Sequence, residues 1–291
     1  MTTPTLDSVK AYYDERIEGK IRDFTRPNPR IEAAIQTLAE WAPFDPKRIL
    51  EIGCGIGATT WRLARAWPHA EVVGTDVSAA SIQVARTCFP RPNLTYRDGL
   101  IWESGLAGKF DFVVLMDVYE HIPLHDRSTL HSLLRSLLAD ESRVFLSFPT
   151  PALQRYGIDG PSDLQPVDED ITPSDVITLG EETNTQILYY RQVGIWRYGD
   201  YAHLVLGRYK SLADVTLRKP RPGRIAGIKS NLKKFFRNSQ SPCTELYDYL
   251  GSDLLRPSTR NSHRRLSVSI GERESLAASW FRNRAGHNSR I

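Results

Sequence analysis

The sequence predicts an α/β fold built on a largely parallel sheet, and three observations carry that expectation. Short apolar runs alternate with helix-spaced patterns through the middle of the chain, the order that parallel strands joined by crossover helices require. The first run is followed by a glycine-rich turn, Gly53-Cys54-Gly55-Ile56-Gly57, that opens into a helical pattern. Another run, Phe112-Val113-Val114-Leu115-Met116, is apolar throughout, as a strand covered on both faces must be.

The elements follow in order. Residues 7–41 read as largely helical, broken at Pro27-Asn28-Pro29. Arg48–Ile52 is the first strand and Ala58–Trp67 the helix after the glycine turn. Glu71–Thr75 is a second strand ending at Asp76, and Ser78 is placed to cap a helix carrying Ile82, Val84 and Ala85. Leu94–Arg97 is a short third strand closed by the Asp98-Gly99 turn. Phe112–Met116 follows, then a helix with Leu130, Leu133, Leu134 and Leu137 on one face, then a strand over Val144–Phe148. Residues 152–172, rich in Pro, Gly and Asp, read as a surface insertion. Pro173 is suited to the first turn of a helix reaching Glu182. Gln186–Val193 and Tyr201–Arg208 then read as an antiparallel pair at a sheet edge.

Composition narrows the class. A chain of 291 residues with 41% hydrophobic and 25% charged residues suits one folded domain with extensions. No apolar run is long enough to span a bilayer, and the first residues lack the charged and apolar blocks of a signal peptide. Cys54, Cys88 and Cys243 have neither metal-ligand nor disulfide-framework spacing, which favours a reducing cytoplasm. Charge is uneven. From Ser211 onward 16 Lys and Arg face 6 Asp and Glu, a surplus of +10; the net charge of +4 therefore leaves −6 on residues 1–210. This divides the chain into an N-terminal helical lid (1–44), a central domain (45–210) and a basic C-terminal extension (211–291).

Within that extension Ile225, Ile228, Leu232, Phe235 and Phe236 recur at helical spacing, among Arg224, Lys229, Lys233, Lys234 and Arg237. A basic amphipathic helix over residues 224–237 reads as a peripheral membrane or protein contact, against the simpler reading that its apolar side packs on the chain's own core. Nucleic acid is disfavoured, because the central domain is acidic and carries no recognition motif.

The glycine turn by itself suits NAD, another nucleotide-like cofactor, or none, since glycine simply allows close approach and positive φ. Asp76, at the end of the second strand, can accept both hydroxyls of a ribose. Glu51, two residues before Gly53, suits a cationic amino-acid end and would repel a pyrophosphate. Asp98-Gly99 ends the third strand where a carboxylate could meet an adenine amino group. Glu51–Gly57, Asp76, Asp98-Gly99 and Asp117-Val118-Tyr119-Glu120-His121-Ile122-Pro123 together resemble the class I SAM-dependent methyltransferases over residues 45–210. The resemblance implies a Rossmann-like seven-stranded sheet of order 3-2-1-4-5-7-6, with strand 7 antiparallel. It implies SAM, leaving as S-adenosylhomocysteine, held by Glu51, Gly53, Cys54, Gly55, Gly57, Asp76, Val77, Asp98, Gly99 and Met116.

At the reacting end, methyl transfer needs alignment and, for many oxygen or nitrogen acceptors, a base. His121 is the candidate general base, with Asp117 and Tyr13 as further catalytic candidates. Tyr12, Tyr13 and Arg16 lie in the lid; Tyr201 and His203 are weaker candidates on the last strand. Asp117-x-x-Glu120-His121 also resembles the E-x-x-E-H of ubiquinone-pathway O-methyltransferases, so a divalent cation on Asp117, Glu120 and His121 is an alternative, not favoured because no further ligand is evident. The function expected is O-methylation of a small molecule, with a sugar or lipid-linked glycan as one acceptor. N-methylation and a non-catalytic SAM-binding regulator are the alternatives.

Overall fold

The computed structural model describes residues 5–25, 28–156 and 165–209. Helices α1 (Leu6–Asp14), α2 (Ile17–Thr25) and α3 (Pro29–Trp41) precede a unit in which β1 (Arg48–Ile52), β2 (Glu71–Asp76), β3 (Leu94–Asp98), β4 (Phe110–Met116) and β5 (Leu138–Pro149) alternate with helices. Those helices are α4 (Ala58–Ala66), α5 (Ala79–Cys88) and α6 (Leu124–Leu137). Helices α7 (Pro151–Tyr156) and α8 (Pro173–Thr183) lead to the hairpin of β6 (Gln186–Val193) and β7 (Tyr201–Arg208). The strands form one sheet in the order β3-β2-β1-β4-β5-β7-β6. Strand β7 runs antiparallel to both neighbours, while the other pairings are parallel.

Alternation along the strands divides the core between two faces. Leu50 and Ile52, Val113 and Leu115, and Leu204 and Leu206 share one apolar cluster with Leu130, Leu134 and Leu137 of α6 and Val176 and Leu179 of α8. Ile49, Phe112, Val114 and Val205 point the other way, into a cluster with Ala34 and Leu38 of α3 and Leu63 and Ala64 of α4. Successive strand residues serve opposite faces, so the central strands are apolar at every position.

Three boundaries differ from expectation. The N-terminal segment has a further break at Glu15-Arg16, where Tyr13 accepts from the Arg16 N–H and α1 ends. Strand β5 starts at Leu138, directly after α6, because Leu138 already pairs with Phe110 of β4 and Ser142 with Arg208 of β7. Tertiary pairing thus extends a strand through the polar Asp140-Glu141-Ser142 stretch. The 152–172 segment is more than a surface insertion. It contains α7, and its last part buries Ile171 in the core and binds Glu120 through the Glu169 N–H.

Local signals set the helix starts. Ser78 accepts from the Ser81 N–H at 2.9 Å, the expected N-cap of α5. Thr172 and Asp175 form a reciprocal capping box at α8, with Pro173 in its first turn. The residues of the basic amphipathic pattern, 224–237, lie outside the described residues. Among the described residues, no helix is long and apolar enough to cross a membrane.

Candidate active site

A cavity of about 510 Å³ opens at the carboxyl ends of β1, β2 and β4, where ligands bind in open α/β sheets. Its wall includes Glu51, Gly53, Cys54, Gly55, Asp76, Val77, Gly99 and Met116 at one end and Tyr13, Asp117 and His121 at the other. The volume lies within the range of small-molecule and cofactor sites.

The glycine turn is shaped by close approach. Gly53 has φ +71°, and a Cβ there would lie 2.2 Å from Cγ2 of Val118. The chain leaving β4 therefore presses on the loop so closely that only glycine fits. Gly57 supports the loop from beneath. Its φ is +84° and a Cβ would meet the Tyr96 hydroxyl at 2.6 Å, so it belongs to the packing of α4 on β3 and not to the cavity wall.

Asp76 organises the turn electrostatically. One carboxylate oxygen accepts the Gly55 N–H at 2.7 Å and the other the Ser78 N–H at 2.9 Å. Ser78 in turn donates to Asp14 at the end of α1, which fastens the N-terminal helices to this edge. Glu51 is almost fully buried and accepts from the Thr60 hydroxyl. Burial, opposed by that hydrogen bond and aided by Asp76, pushes its carboxyl up to about 8, so it is largely neutral at pH 7 until a cation approaches. Burial likewise raises the Cys54 thiol, making it packing material and not a nucleophile.

Asp98 lies beside the cavity, not in its wall. Its side chain is half exposed, pairs with Arg86 at 3.2 Å and is absent from the cavity wall. The reason is the last turn of α5, which places a guanidinium beside the end of β3. Gly99, held to the Asp76 carbonyl, takes the wall position instead.

The opposite end is crowded with charge. Asp117, at φ +55°, sits in the left-handed region that Asp tolerates better than most side chains. Its N–H donates to the Ser147 carbonyl and its carboxylate pairs with Arg30 of α3 at 2.9 Å. Arg30 also reaches the Tyr201 hydroxyl at 3.4 Å, which puts Tyr201 behind the wall as a support. With Asp117 committed to Arg30, the donor set for a divalent cation is broken. Among the described residues, no group of three or more His, Cys, Asp and Glu is arranged to hold a metal.

His121 ends a short 3-10 turn (Tyr119–His121), with its Nδ1 2.7 Å from the Val167 carbonyl and 3.2 Å from Asp168. Its Nε2 lies 3.7 Å from Glu120. Burial lowers its pKa, but Glu120 and the bonds to Asp168 and Val167 outweigh that and lift it to about 9. The expectation of a base poised near neutrality is thereby corrected: His121 is chiefly an imidazolium at pH 7. Glu120 is also raised, by burial first and then by Asp117.

Tyr13 alone of the lid candidates reaches the cavity. Its hydroxyl donates to Gln165 at 2.9 Å and its ring stands edge-on to His121, centroids 6.5 Å apart. Tyr12 and Arg16 stack on each other at the surface. His203 belongs elsewhere, on the wall of a second cavity beneath α3, where Nδ1 meets the Thr37 hydroxyl at 2.8 Å. Burial and Arg191 depress its pKa to about 4. Between about 4 and 6.5 the unfolded chain binds a proton that the folded one refuses, so stability falls as pH drops through that window. We expect a loss on the order of 3 kcal/mol, measured by urea unfolding, and a flatter pH dependence in His203→Gln.

A family model described as a methyltransferase domain matches residues 22–207. The chain belongs to the class I SAM-dependent methyltransferase family. Trans-aconitate 2-methyltransferase of Rhodopseudomonas palustris (strain BisB18) is 34% identical over 96 residues, covering 33% of this chain and 37% of that protein. Ubiquinone biosynthesis O-methyltransferase of Erwinia tasmaniensis is 31% identical over 136 residues, 45% of this chain and 53% of its own length. The chain thus spans about half or less of the curated relatives it matches. Magnesium protoporphyrin IX methyltransferase of Synechocystis PCC 6803, solved with bound SAM, shares the fold with a TM-score of 0.52, 20% identity, and coverage of 72% of this chain and all of the other.

Within this methyltransferase fold, Arg30, Thr60, Gln165, Val167 and Asp168 shape the site without having been singled out in the sequence. Only Arg30 left a local trace, as a cation in the first turn of a helix capped by Asn28 and started by Pro29. The others are brought in by packing.

Proposed function

We propose that this protein transfers a methyl group from SAM to an oxygen of a small molecule. The observation that carries the reading is one cavity with a nucleotide-suited end at Gly53, Gly55 and Asp76 and a proton-handling end at Tyr13 and His121. Its donor set fits SAM: Asp76 for the ribose hydroxyls, Glu51 for the amino-acid ammonium, Val77 and Gly99 walling the base. An approaching ammonium favours the ionised form of Glu51, which then gains a partner for its buried charge.

Bound SAM supplies a methyl group already activated by the sulfonium. The chain's task is to align the acceptor and receive its proton. A carbonyl only accepts, so the Val167 contact requires a proton on His121 Nδ1 and leaves Nε2 as the basic atom. Arg30 and Asp117 form the fixed floor beside it, and the Tyr13 hydroxyl closes the lid side. The names of the relatives, a trans-aconitate 2-methyltransferase and a ubiquinone biosynthesis O-methyltransferase, support a small oxygen acceptor, a carboxylate or a hydroxyl compound, over a lipid-linked glycan. The lid at 1–44 and central domain at 45–210 are the functional division we propose.

Isothermal titration with SAM and with NAD, followed by transfer of labelled methyl to hydroxybenzoates and to a methyl glucoside, tests the reading. Saturable SAM binding and labelling of the aromatic acceptors are expected, insensitive to chelator. NAD binding in place of SAM would sink it.

A further inference from the structure

The segment from Gln165 to Glu169 crosses the proton-handling end and is tied to it at four points. The Val167 carbonyl accepts from His121 at 2.7 Å. Asp168 places one carboxylate oxygen 3.2 Å from the same Nδ1. Its other oxygen accepts the Gln165 N–H at 2.8 Å, and the Gln165 side-chain carbonyl accepts the Tyr13 hydroxyl at 2.9 Å. Finally, the Glu169 N–H donates to the Glu120 carbonyl at 2.9 Å. One carboxylate therefore stands between the two side chains that face the acceptor. It is also a charge kept largely from water, its side chain only 15% exposed.

We propose that Asp168 is a positioning residue that raises the basicity of His121, whose tautomer the Val167 carbonyl fixes, while seating Gln165 beneath the Tyr13 hydroxyl. This rests on the reading of His121 as the proton acceptor. The physical need is clear. An imidazole exposes a lone pair on only one nitrogen, and a partner that accepts from Nδ1–H decides that Nε2 is the one. The Val167 carbonyl supplies direction, and the Asp168 charge stabilises the imidazolium that forms when the acceptor's proton arrives. Other groups face the same ring. Glu120 lies 3.7 Å from Nε2, the Asp117 carboxylate, neutralised by Arg30, acts on it electrostatically, and Tyr13 of α1 stands edge-on. Of the three carboxylates, only Asp168 contacts Nδ1, so its removal changes basicity without touching the face that meets the acceptor.

Asp168→Asn separates charge from shape, since the amide oxygen can still accept the Gln165 N–H. The experiment follows the His121 ring nitrogens by NMR across pH in the full chain with S-adenosylhomocysteine, alongside rate-pH profiles. We expect the wild-type ring to titrate near 9 with Nδ1 protonated in the neutral form. In Asp168→Asn the midpoint falls by about one unit and the plateau kcat, read above the wild-type midpoint where the ring is neutral in both proteins, falls by up to about tenfold, with SAM affinity within a factor of about two. Asp168→Glu, which keeps the charge, should hold the wild-type midpoint even if the Asn variant folds poorly. An unmoved midpoint in Asp168→Asn, or an equal shift in Asp168→Glu, overturns the proposal. A midpoint that moves while turnover does not respond supports the positioning role and overturns the base reading of His121 instead.

Discussion

His121→Ala should lower kcat by a factor of about 10² to 10⁴, the span of general-base contributions, with SAM affinity little changed. The asymmetry follows from placement. His121 stands at the far end of the cavity from Asp76 and Gly55, so its loss removes a proton acceptor and leaves the cofactor end intact. The wild-type profile carries the sign. A base must be neutral to work, and this imidazole is held protonated up to about 9 by Glu120 and Asp168 despite its burial. At pH 7 only on the order of one per cent is free base, so kcat/KM should climb about tenfold per pH unit before levelling above 9. A flat profile from pH 7 to 9, together with a mild His121→Ala phenotype, would show that the acceptor arrives already ionised.

Asp76→Ala should weaken SAM binding by at least about a hundredfold, read by isothermal titration. Two losses add. The carboxylate that would accept both ribose hydroxyls disappears, and charged hydrogen bonds of that kind contribute roughly 1.5–3 kcal/mol each. The Gly55 and Ser78 N–H groups also lose the acceptor that holds the turn in its binding shape. Asp76→Asn is the sharper test, because its single remaining oxygen can satisfy only one of those two N–H groups. It should fall between wild type and the alanine variant. Equal SAM affinity in all three would remove Asp76 from the cofactor site.

Much of this arrangement was legible in the residues. The positions of Glu51, the glycine turn and Asp76 follow from a strand ending where a helix must begin, a relation short enough to be encoded within about thirty residues. Sheet order is implied only by the resemblance to the methyltransferase class, and the observed order with its antiparallel β7 agrees with it. Where sequence reading failed, the cause was a contact between distant segments. Asp98 reads as facing a base, whereas its side chain is half exposed and one of its oxygens pairs with Arg86, twelve residues earlier. Asp117, a catalytic candidate by its motif, is paired with Arg30, which α3 delivers from 87 positions upstream. Gly57 belongs to the cofactor motif by pattern, yet its conformation answers to Tyr96.

The sequence by itself determined the α/β class, the strand and helix order, the glycine turn and the carboxylates at the ends of the first two strands, because those depend on local periodicity and short-range geometry. Only the tertiary structure decided the state of the reacting end. Basicity at His121 depends on burial and on Glu120, Val167 and Asp168, and the last two lie more than forty residues away. A pKa is a property of the field at one point in space, and that field exists only once the chain has closed around it.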